Sequence, residues 1–355
     1  MLTLRALNRA TLARQMLLRR EKVAAREAVE RLAGMQAQVA KPPFIGLWTR
    51  IEGFEREQLA KAIAKKEVVR GTLMRGTIHL VSRNDYLAWR MPIQPVLTRG
   101  AAAIAKSAYD PAELCEIARK FFDARPSTFE ELRDLFPKGD ERLMAYTVRM
   151  HLPLVMVPDD SRWAYAPNNP FAVAETYLGK KLKTSDKPHD LALRYLAAFG
   201  PATPKDFERW SGLTGGRALF DELRPKLETF AGERKRELFD LPDAPRPEED
   251  VEAPVRFLPE FDNILLAHDD RARIISAEHQ PRVATKNLRI LATFLVDGFV
   301  AGIWSIARKS KNATLTLTPF IKLDKRTQKA LEEEGEKLVR FAEEDAGAFA
   351  VKWDK

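Results

Sequence analysis

Arg125-Pro126-Ser127-Thr128-Phe129-Glu130-Glu131-Leu132 and, about 75 residues later, Gly200-Pro201-Ala202-Thr203-Pro204-Lys205-Asp206-Phe207 carry the same local signal. In each, a proline-containing turn leads to a threonine placed to cap a helix, and an acid three residues on can reach back to it. Chance boxes of this kind are common, so the weight lies in their surroundings. Before the first, Asp110-Pro111-Ala112-Glu113 opens a helix with a capping Asp, a proline at the first position and an acid in the first turn. Leu114, Ile117 and Phe121 line its buried face. After the box, a helix over about 141–150 precedes two β-leaning runs, 154–157 and 162–165, on either side of an Asp159-Asp160-Ser161 turn. Around the second box, Leu191, Tyr195 and Leu196 mark the preceding helix. Three helices and then a hairpin is the order of a winged helix, and its recurrence argues for a tandem repeat.

Toward the N terminus, the first 33 residues read as two helices with a break near Arg19-Arg20-Glu21. Ala25, Ala28, Val29 and Leu32 recur at helical spacing, and Gly34 stands where a C-terminal cap belongs. Beyond 35–40, Lys41-Pro42-Pro43 is expected to forbid further helix. A third amphipathic helix carrying Leu59 and Ile63 leads into residues 68–81, two β-rich runs divided by glycine-containing breaks, which suit a wing. Toward the C terminus, residues 243–254 are rich in proline and acid and read as an exposed linker. Strands are expected at 255–258, 290–296 and 299–306, and a charged helix over about 325–344 turns Leu331, Leu338 and Phe341 inward. The fold class is therefore mainly α with short β wings: winged-helix units over 1–95 and 96–180, a third core over 186–242, and a β-containing extension over 255–355.

Composition narrows the chemistry. The 355 residues, 45% hydrophobic and 31% charged, suit a globular protein of several domains. Cys115 is the only cysteine, so neither an intramolecular disulfide nor a thiolate metal cluster is possible, and it reads as a small core residue. The five histidines, at 79, 151, 189, 268 and 279, are never spaced as a ligand pair. Gly212-Leu213-Thr214-Gly215-Gly216-Arg217 lacks phosphate-loop spacing, and no Gly-x-Ser-x-Gly elbow occurs. No metal and no cofactor is expected. Neither a signal segment nor a membrane-spanning run is seen, which places the protein in the cytoplasm and empties the Asn312-Ala313-Thr314 sequon of meaning. The net charge of +9 is uneven: residues 1–100 hold 19 Lys and Arg against 8 Asp and Glu, a surplus of 11, which leaves −2 for the remainder. Such a basic quarter favours a polyanion-binding face over an Arg-rich solvated surface.

Gln36-Ala37-Gln38 lies between a helix stop and a double proline. On a helix, residues two apart point about 200° apart; in an extended segment both amides share one side and Ala37 faces the core. An amide orients water through its oxygen and holds a sugar or phosphate oxygen through its NH₂, but it is no general base. On the residues alone, a polar surface strand is the more economical reading.

Four blocks change that balance: Leu32-Ala33-Gly34-Met35-Gln36-Ala37-Gln38 followed by Phe44-Ile45-Gly46-Leu47-Trp48-Thr49-Arg50; Met74-Arg75-Gly76-Thr77-Ile78-His79-Leu80-Val81; residues 257–271, which include Pro259-Glu260-Phe261-Asp262-Asn263; and residues 296–302. In this order, through nearly the whole chain, they resemble the winged-helix DNA glycosylases of the AlkZ type. The resemblance implies three tandem winged helices in a C shape and removal of alkylated purines, some interstrand cross-links included, from duplex DNA. It also implies a Gln-apolar-Gln catalytic motif, matched by Gln36 and Gln38. Alkylation at N7 makes the base a cationic leaving group, so a positioned water suffices, and the absence of a carboxylate at the motif implies poor action on neutral lesions such as uracil.

Lys41, Arg50, Arg70 and Arg75 flank the motif as candidate DNA contacts; Lys41 is also near enough to be weighed as a Schiff-base nucleophile, though nothing suggests the burial that role needs. Arg142 and Arg149 lie on the expected recognition helix of the second unit, and His268 and Arg271 in the third family-like block; each has an ordinary surface or core role as its alternative. The resulting expectation is a monomeric, monofunctional glycosylase of the nucleoid, without metal, cofactor, membrane or obligate protein partner. Its competitors are a winged-helix regulator without enzymatic activity, which should dimerise to match a two-fold operator, and a damage binder that has lost catalysis.

Overall fold

The computed structural model describes residues 1–105, 109–233, 236–285 and 289–354. The chain opens with α1 (Leu4–Arg14), capped by the Thr3 hydroxyl, which accepts from the Ala6 amide at 3.0 Å. Three stretches then repeat one connectivity. The first is α2 (Ala25–Arg31), the two-residue strand β1 (Met35–Gln36), α3 (Lys41–Trp48), α4 (Arg56–Ala64) and the hairpin β2 (Val68–Thr72) with β3 (Ile78–Ser82). The long α5 (Arg83–Ala105) leads to the second: α6 (Pro111–Ala124), α7 (Phe129–Leu132), α8 (Glu141–His151), β4 (Leu154–Met156) and β5 (Phe171–Val173). After α9 (Ala174–Leu178) comes the third: α10 (His189–Phe199), α11 (Pro204–Ser211), α12 (Gly216–Leu223), β6 (Glu228–Ala231) and β7 (Glu237–Asp240).

Both capping boxes form. The Thr128 hydroxyl accepts from the Glu131 amide at 3.2 Å while the Glu131 carboxylate accepts from the Thr128 amide at 2.7 Å; Thr203 and Asp206 do the same at 3.1 and 2.8 Å. The residue before each cap bridges to the last strand of its own wing, Ser127 to Phe171 and Ala202 to Phe239. In the first stretch β1 occupies that place, pairing with β3 so that Gln36 lies opposite His79. Each stretch is thus helix, short bridge, helix, helix, hairpin. The bridging position forces an extended backbone between two helices, and alternation follows: Met35 and Ala37 enter the core with Leu32, Phe44 and Leu47, and Gln36 and Gln38 turn to the other side. The wings of the first two stretches merge into one sheet of order β1-β3-β2-β4-β5, and the third keeps its own two-stranded hairpin.

The C-terminal extension contains β8 (Arg256–Leu258), the short α13 (Gln280–Val283), β9 (Thr293–Val296), β10 (Phe299–Lys309), β11 (Asn312–Pro319), α14 (Lys325–Ala342) and β12 (Ala348–Trp353). Its sheet runs β12-β11-β10-β9-β8, with β12 parallel to β11. Leu331, Leu338 and Val339 of α14 pack among Phe257, Leu315 and Leu317, and Phe341 stacks on Trp48 at 5.9 Å, tying the extension to the first unit. No helix among the described residues is long and apolar enough to cross a membrane.

Three local expectations are corrected. Pro42 and Pro43 begin α3 rather than forbid helix, because first-turn amides have no intrahelical partner to lose. Residues 162–165 are not the second wing strand: β4 pairs with β5 instead. Asp159 folds the intervening segment into a turn by accepting from the Ser161 and Ala166 amides at 2.9 and 3.0 Å, and Trp163 packs edge-on to Phe44 at 5.1 Å. Residues 243–254 are no free linker. Arg14 pairs with Asp240 at 2.7 Å and reaches the Pro245 carbonyl, and Arg9 donates to the Val251 carbonyl at 2.7 Å, lashing the segment to α1. Asn312-Ala313-Thr314 begins strand β11, to which no expectation was attached.

Candidate active site and nucleic-acid interface

The Gln-Ala-Gln segment is held from three directions. The Ala37 amide donates to the Ile78 carbonyl at 2.8 Å, and the Ile78 amide donates to Gln38 Oε1 at 2.8 Å, so the Gln38 side chain extends the ladder where the backbone bends away. Arg70, buried with its guanidinium 5.0 Å over Tyr165, donates to the carbonyls of Ala37 and Gln38 at 2.9 and 3.2 Å. Arg75 Nη2 donates to Gln36 Oε1 at 2.8 Å. Because both side-chain oxygens face N–H donors, both amide NH₂ groups are left as the outward donors. Beside Gln36 lies a cavity of about 10 Å³, the size of one water, lined by Gly34, Pro42, Pro43, Glu260 and Asn263 among others. Asn263 donates to the Gly34 carbonyl at 3.1 Å, and its buried Oδ1 has no partner among the described residues. His79, opposite Gln36, is wholly buried with Nδ1 3.1 Å from the Thr77 carbonyl; desolvation, with the charge of Arg75, pushes its pKa down to about 3, so it is neutral.

Arg75 sits in the 3₁₀ turn Met74–Gly76 between β2 and β3 with a left-handed φ of 57°. Its Nη1 donates to the carbonyl of Trp210 in the last turn of α11, favourable at the negative end of a helix. Burial, and then the charges of Arg209 and Arg271, pull its pKa down to about 10. Arg209 is exposed on α11 and Arg271 is half-buried. Arg75 thus stands against Gln36 and feels the charge of one cation from the third unit and one from the extension.

The other expected contacts are placed differently. Arg50 is 1% exposed, pairs with Asp262 at 2.9 Å and donates to the carbonyls of Gly46 and Gln15, so it is a core crosslink and not a phosphate contact. Arg70 is likewise spent on the motif backbone. His268 is buried with Nε2 3.0 Å from the Phe199 carbonyl, and desolvation lowers its pKa; it faces the core, not a cleft. Lys41 pairs with Glu343 at 2.6 Å, which makes a free amine nucleophile there a poor fit. On α8, Arg142 is exposed and Arg149 is partly buried, 5.8 Å over Tyr146. The basic N-terminal quarter is in part an internal matter: Arg5 and Arg9 meet Asp297, Arg14 meets Asp240, and Arg20 meets Glu334. Arg209 and Asn263 were not singled out from sequence; an isolated arginine on an amphipathic helix and an amide in an apolar block carry no local signal. Cys115 packs at the edge of the α6–α8 core, and burial pushes its thiol up to about 11, which suits an inert residue.

Three stretches of winged-helix connectivity thus carry a pair of glutamine amides beside Arg75, the arrangement of a nucleic-acid-binding class of fold. The family model for DNA glycosylase AlkZ-like matches residues 29–341, and the chain belongs to that family. An interstrand DNA cross-link repair glycosylase from Streptomyces sahachiroi is 26% identical over 362 residues, spanning 92% of this chain and 93% of that protein. The structure of Streptomyces sahachiroi DNA glycosylase AlkZ matches with a TM-score of 0.78 over 99% of both chains at 21% identity. The protein is therefore an enzyme of the DNA glycosylase class, hydrolysing N-glycosyl bonds, and the mixed fold expected from sequence holds.

Proposed function

We propose that the protein is a monofunctional glycosylase for cationic N-alkylated purines in duplex DNA, cross-linked purines included, with Gln36 and Gln38 positioning water and deoxyribose. The observation that carries this reading is the Gln36 amide, fixed by Arg75 beside a cavity of single-water size. The cross-link repair activity named for the 26%-identical relative supports the substrate class.

Heterolysis of the C1′–N9 bond of an N7-alkylguanine returns the bonding electrons to the base, which leaves neutral, while C1′ takes on oxocarbenium character. Water then adds to C1′ and loses its proton to solvent, leaving an abasic site. This sequence needs no strong base, which suits a site whose first residues are amides. The second lone pair of Gln36 Oε1 and the unpartnered Asn263 Oδ1 are acceptors that can turn a water's lone pair toward C1′, and the Gln38 NH₂ is free to hold the sugar. The protein acts as a monomer, without metal or cofactor.

The test is single-turnover release of free base from duplex DNA carrying N7-methylguanine, comparing wild type with Gln36→Ala/Gln38→Ala. Release that falls by two orders of magnitude or more in the double variant supports the reading. Equal release by both proteins overturns the role of the two glutamines.

A further inference from the structure

We propose that Glu260 is a further catalytic residue: its carboxylate, on the open side of the cavity beside Gln36, offsets the positive charge that the deoxyribose takes on as the base departs. The inference rests on the glycosylase reading for its substrate, and on the cavity and the turn at Pro259–Asp262 for its geometry.

Among the described residues, two acids line the cavity of about 10 Å³, and only one of them is available. Asp262 is buried, paired with Arg50 at 2.9 Å and accepting from the Ile264 amide at 3.2 Å. Glu260 is different. Every other described residue of the lining is buried, whereas the Glu260 side chain is 25% exposed. It therefore stands where the cavity meets solvent, the side from which a nucleotide must come. The same lining includes Asn263, 5% exposed, with its Oδ1 unpartnered among the described residues. A buried acceptor and a rim anion thus share one cavity with Gln36.

The backbone fixes that placement. Phe261 has a left-handed φ of 60°, a strained conformation for a side chain of its size. It is held there because its ring packs among Leu258, Ile264 and Ile290, and its amide donates to the Ile290 carbonyl at 3.2 Å. The reversal sends Phe261 to the core and leaves Glu260 at the cavity. The same bond sets Arg289, the neighbour of Ile290, beside Glu260, where its Nη2 donates to both carboxylate oxygens at 2.7 and 2.8 Å. Arg289 is exposed, and a pair so open to solvent is weakly held. It spends a single nitrogen on a group with about four acceptor positions, so Glu260 has capacity left for a second cation.

The reaction calls for such a group. Arg75, bonded to Gln36, places a positive charge beside the site, which opposes both a cationic base and an oxocarbenium-like C1′. The glutamine amides carry no net charge to offset it. As the C1′–N9 bond breaks, its electron pair leaves with the base and the positive charge moves onto the sugar. Glu260 faces that charge as a fixed anion, forming no bond and taking no proton.

The test uses the full chain and two uncleavable duplexes, one with a pyrrolidine abasic site, cationic at neutral pH, and one with its neutral tetrahydrofuran counterpart. The ratio of their affinities, read by fluorescence anisotropy at fixed salt, measures the preference for a cation at the sugar. Glu260→Gln is expected to lower that ratio about tenfold. It should also slow single-turnover release of N7-methylguanine by about ten- to hundredfold, with Glu260→Asp keeping part of both. Arg289→Gln separates charge from bracing: it frees the carboxylate and should hold or raise the ratio. An ion pair that only braces the turn would make the two variants fall together. An unchanged ratio in Glu260→Gln, or equal falls in Glu260→Gln and Arg289→Gln, overturns the assignment. The affinity ratio does not depend on excision, so a protein that released no base, yet lost its cation preference in Glu260→Gln, would keep this site while losing the glycosylase reading.

Discussion

Arg75 binds Gln36 and the third winged helix at once: Nη2 lies 2.8 Å from the Gln36 side-chain oxygen, and Nη1 donates to the Trp210 carbonyl. The amide at the centre of the proposed chemistry is thus oriented by a residue that also joins two units. Replacing Arg75 with Gln removes a charge-assisted bond to Gln36, worth about 1.5–3 kcal/mol. The expected result is a fall of roughly ten- to hundredfold in single-turnover rate with a much smaller change in DNA affinity, partly restored in Arg75→Lys, which keeps one donor. A rate unchanged in a folded Arg75→Gln protein would show that Gln36 needs no fixed orientation.

Arg50 and Asp262 make the contrasting case. Both side chains are almost wholly buried, 1% and 3% exposed, and they meet at 2.9 Å. Removing one partner leaves an uncompensated buried charge, which costs about 3–5 kcal/mol. Arg50→Met should lower the melting temperature sharply, while the protein that remains folded at low temperature keeps the wild-type salt slope for DNA. If stability holds and the slope falls, Arg50 is a phosphate contact after all.

The contrast between Arg50 and Arg209 shows what the sequence could carry. Capping boxes at Thr128 and Thr203 are legible because every atom involved lies within four residues. The same is true of Gly34 as a helix stop and of the alternation that sets Ala37 inward. Arg50 looks like a surface cation until Asp262, more than two hundred residues away, is folded against it. Arg209 is an exposed helical arginine, and only the fold sets it next to Trp210, whose carbonyl Arg75 reaches from the first unit. The second wing strand was misplaced because Trp163 and Tyr165 have β-forming side chains, yet Asp159 collects three internal donors and turns the segment. Strand β11 carries a local signal of its own, buried Ala313, Leu315 and Leu317 alternating with threonines. Local chemistry was readable, and the partners supplied by distant segments were not.

Gly34 offers a test of how tightly the glutamine strand is positioned. Its φ is 82°, and a Cβ there would stand 2.6 Å from Val81 Cγ1 and 3.3 Å from the Leu80 carbonyl. Gly34→Ala therefore combines left-handed strain, about 1–2 kcal/mol, with a clash against β3, the partner of β1. The variant should lose excision activity out of proportion to its loss of stability, since the clash falls on the pairing that sets Gln36 opposite His79. A stable variant of full activity would mean that β1 tolerates displacement from β3.

His79 and His268 set the expected response to acid. The pKa of His79 is lowered to about 3, first by burial and then by Arg75. That of His268 is lowered by burial and Arg273, against the opposing pull of Asp206. An unfolded chain protonates a histidine below about pH 6.5, whereas the folded protein keeps His79 neutral until about pH 3. The unfolded state therefore binds more protons throughout that interval, and stability must fall as pH falls within it; above pH 7 neither histidine contributes a slope. Each should cost about 1.4 kcal/mol per pH unit, or roughly 2 kcal/mol between pH 6.5 and 5.0. That window lies above the range where carboxylates protonate, so the histidines can be read separately. Urea unfolding at pH 7.5 and 5.0 should show the loss in wild type and a shallower dependence in His79→Gln, which cannot take up a proton in either state. If the two proteins lose stability equally, His79 is already protonated in the fold and cannot be the neutral neighbour of Gln36.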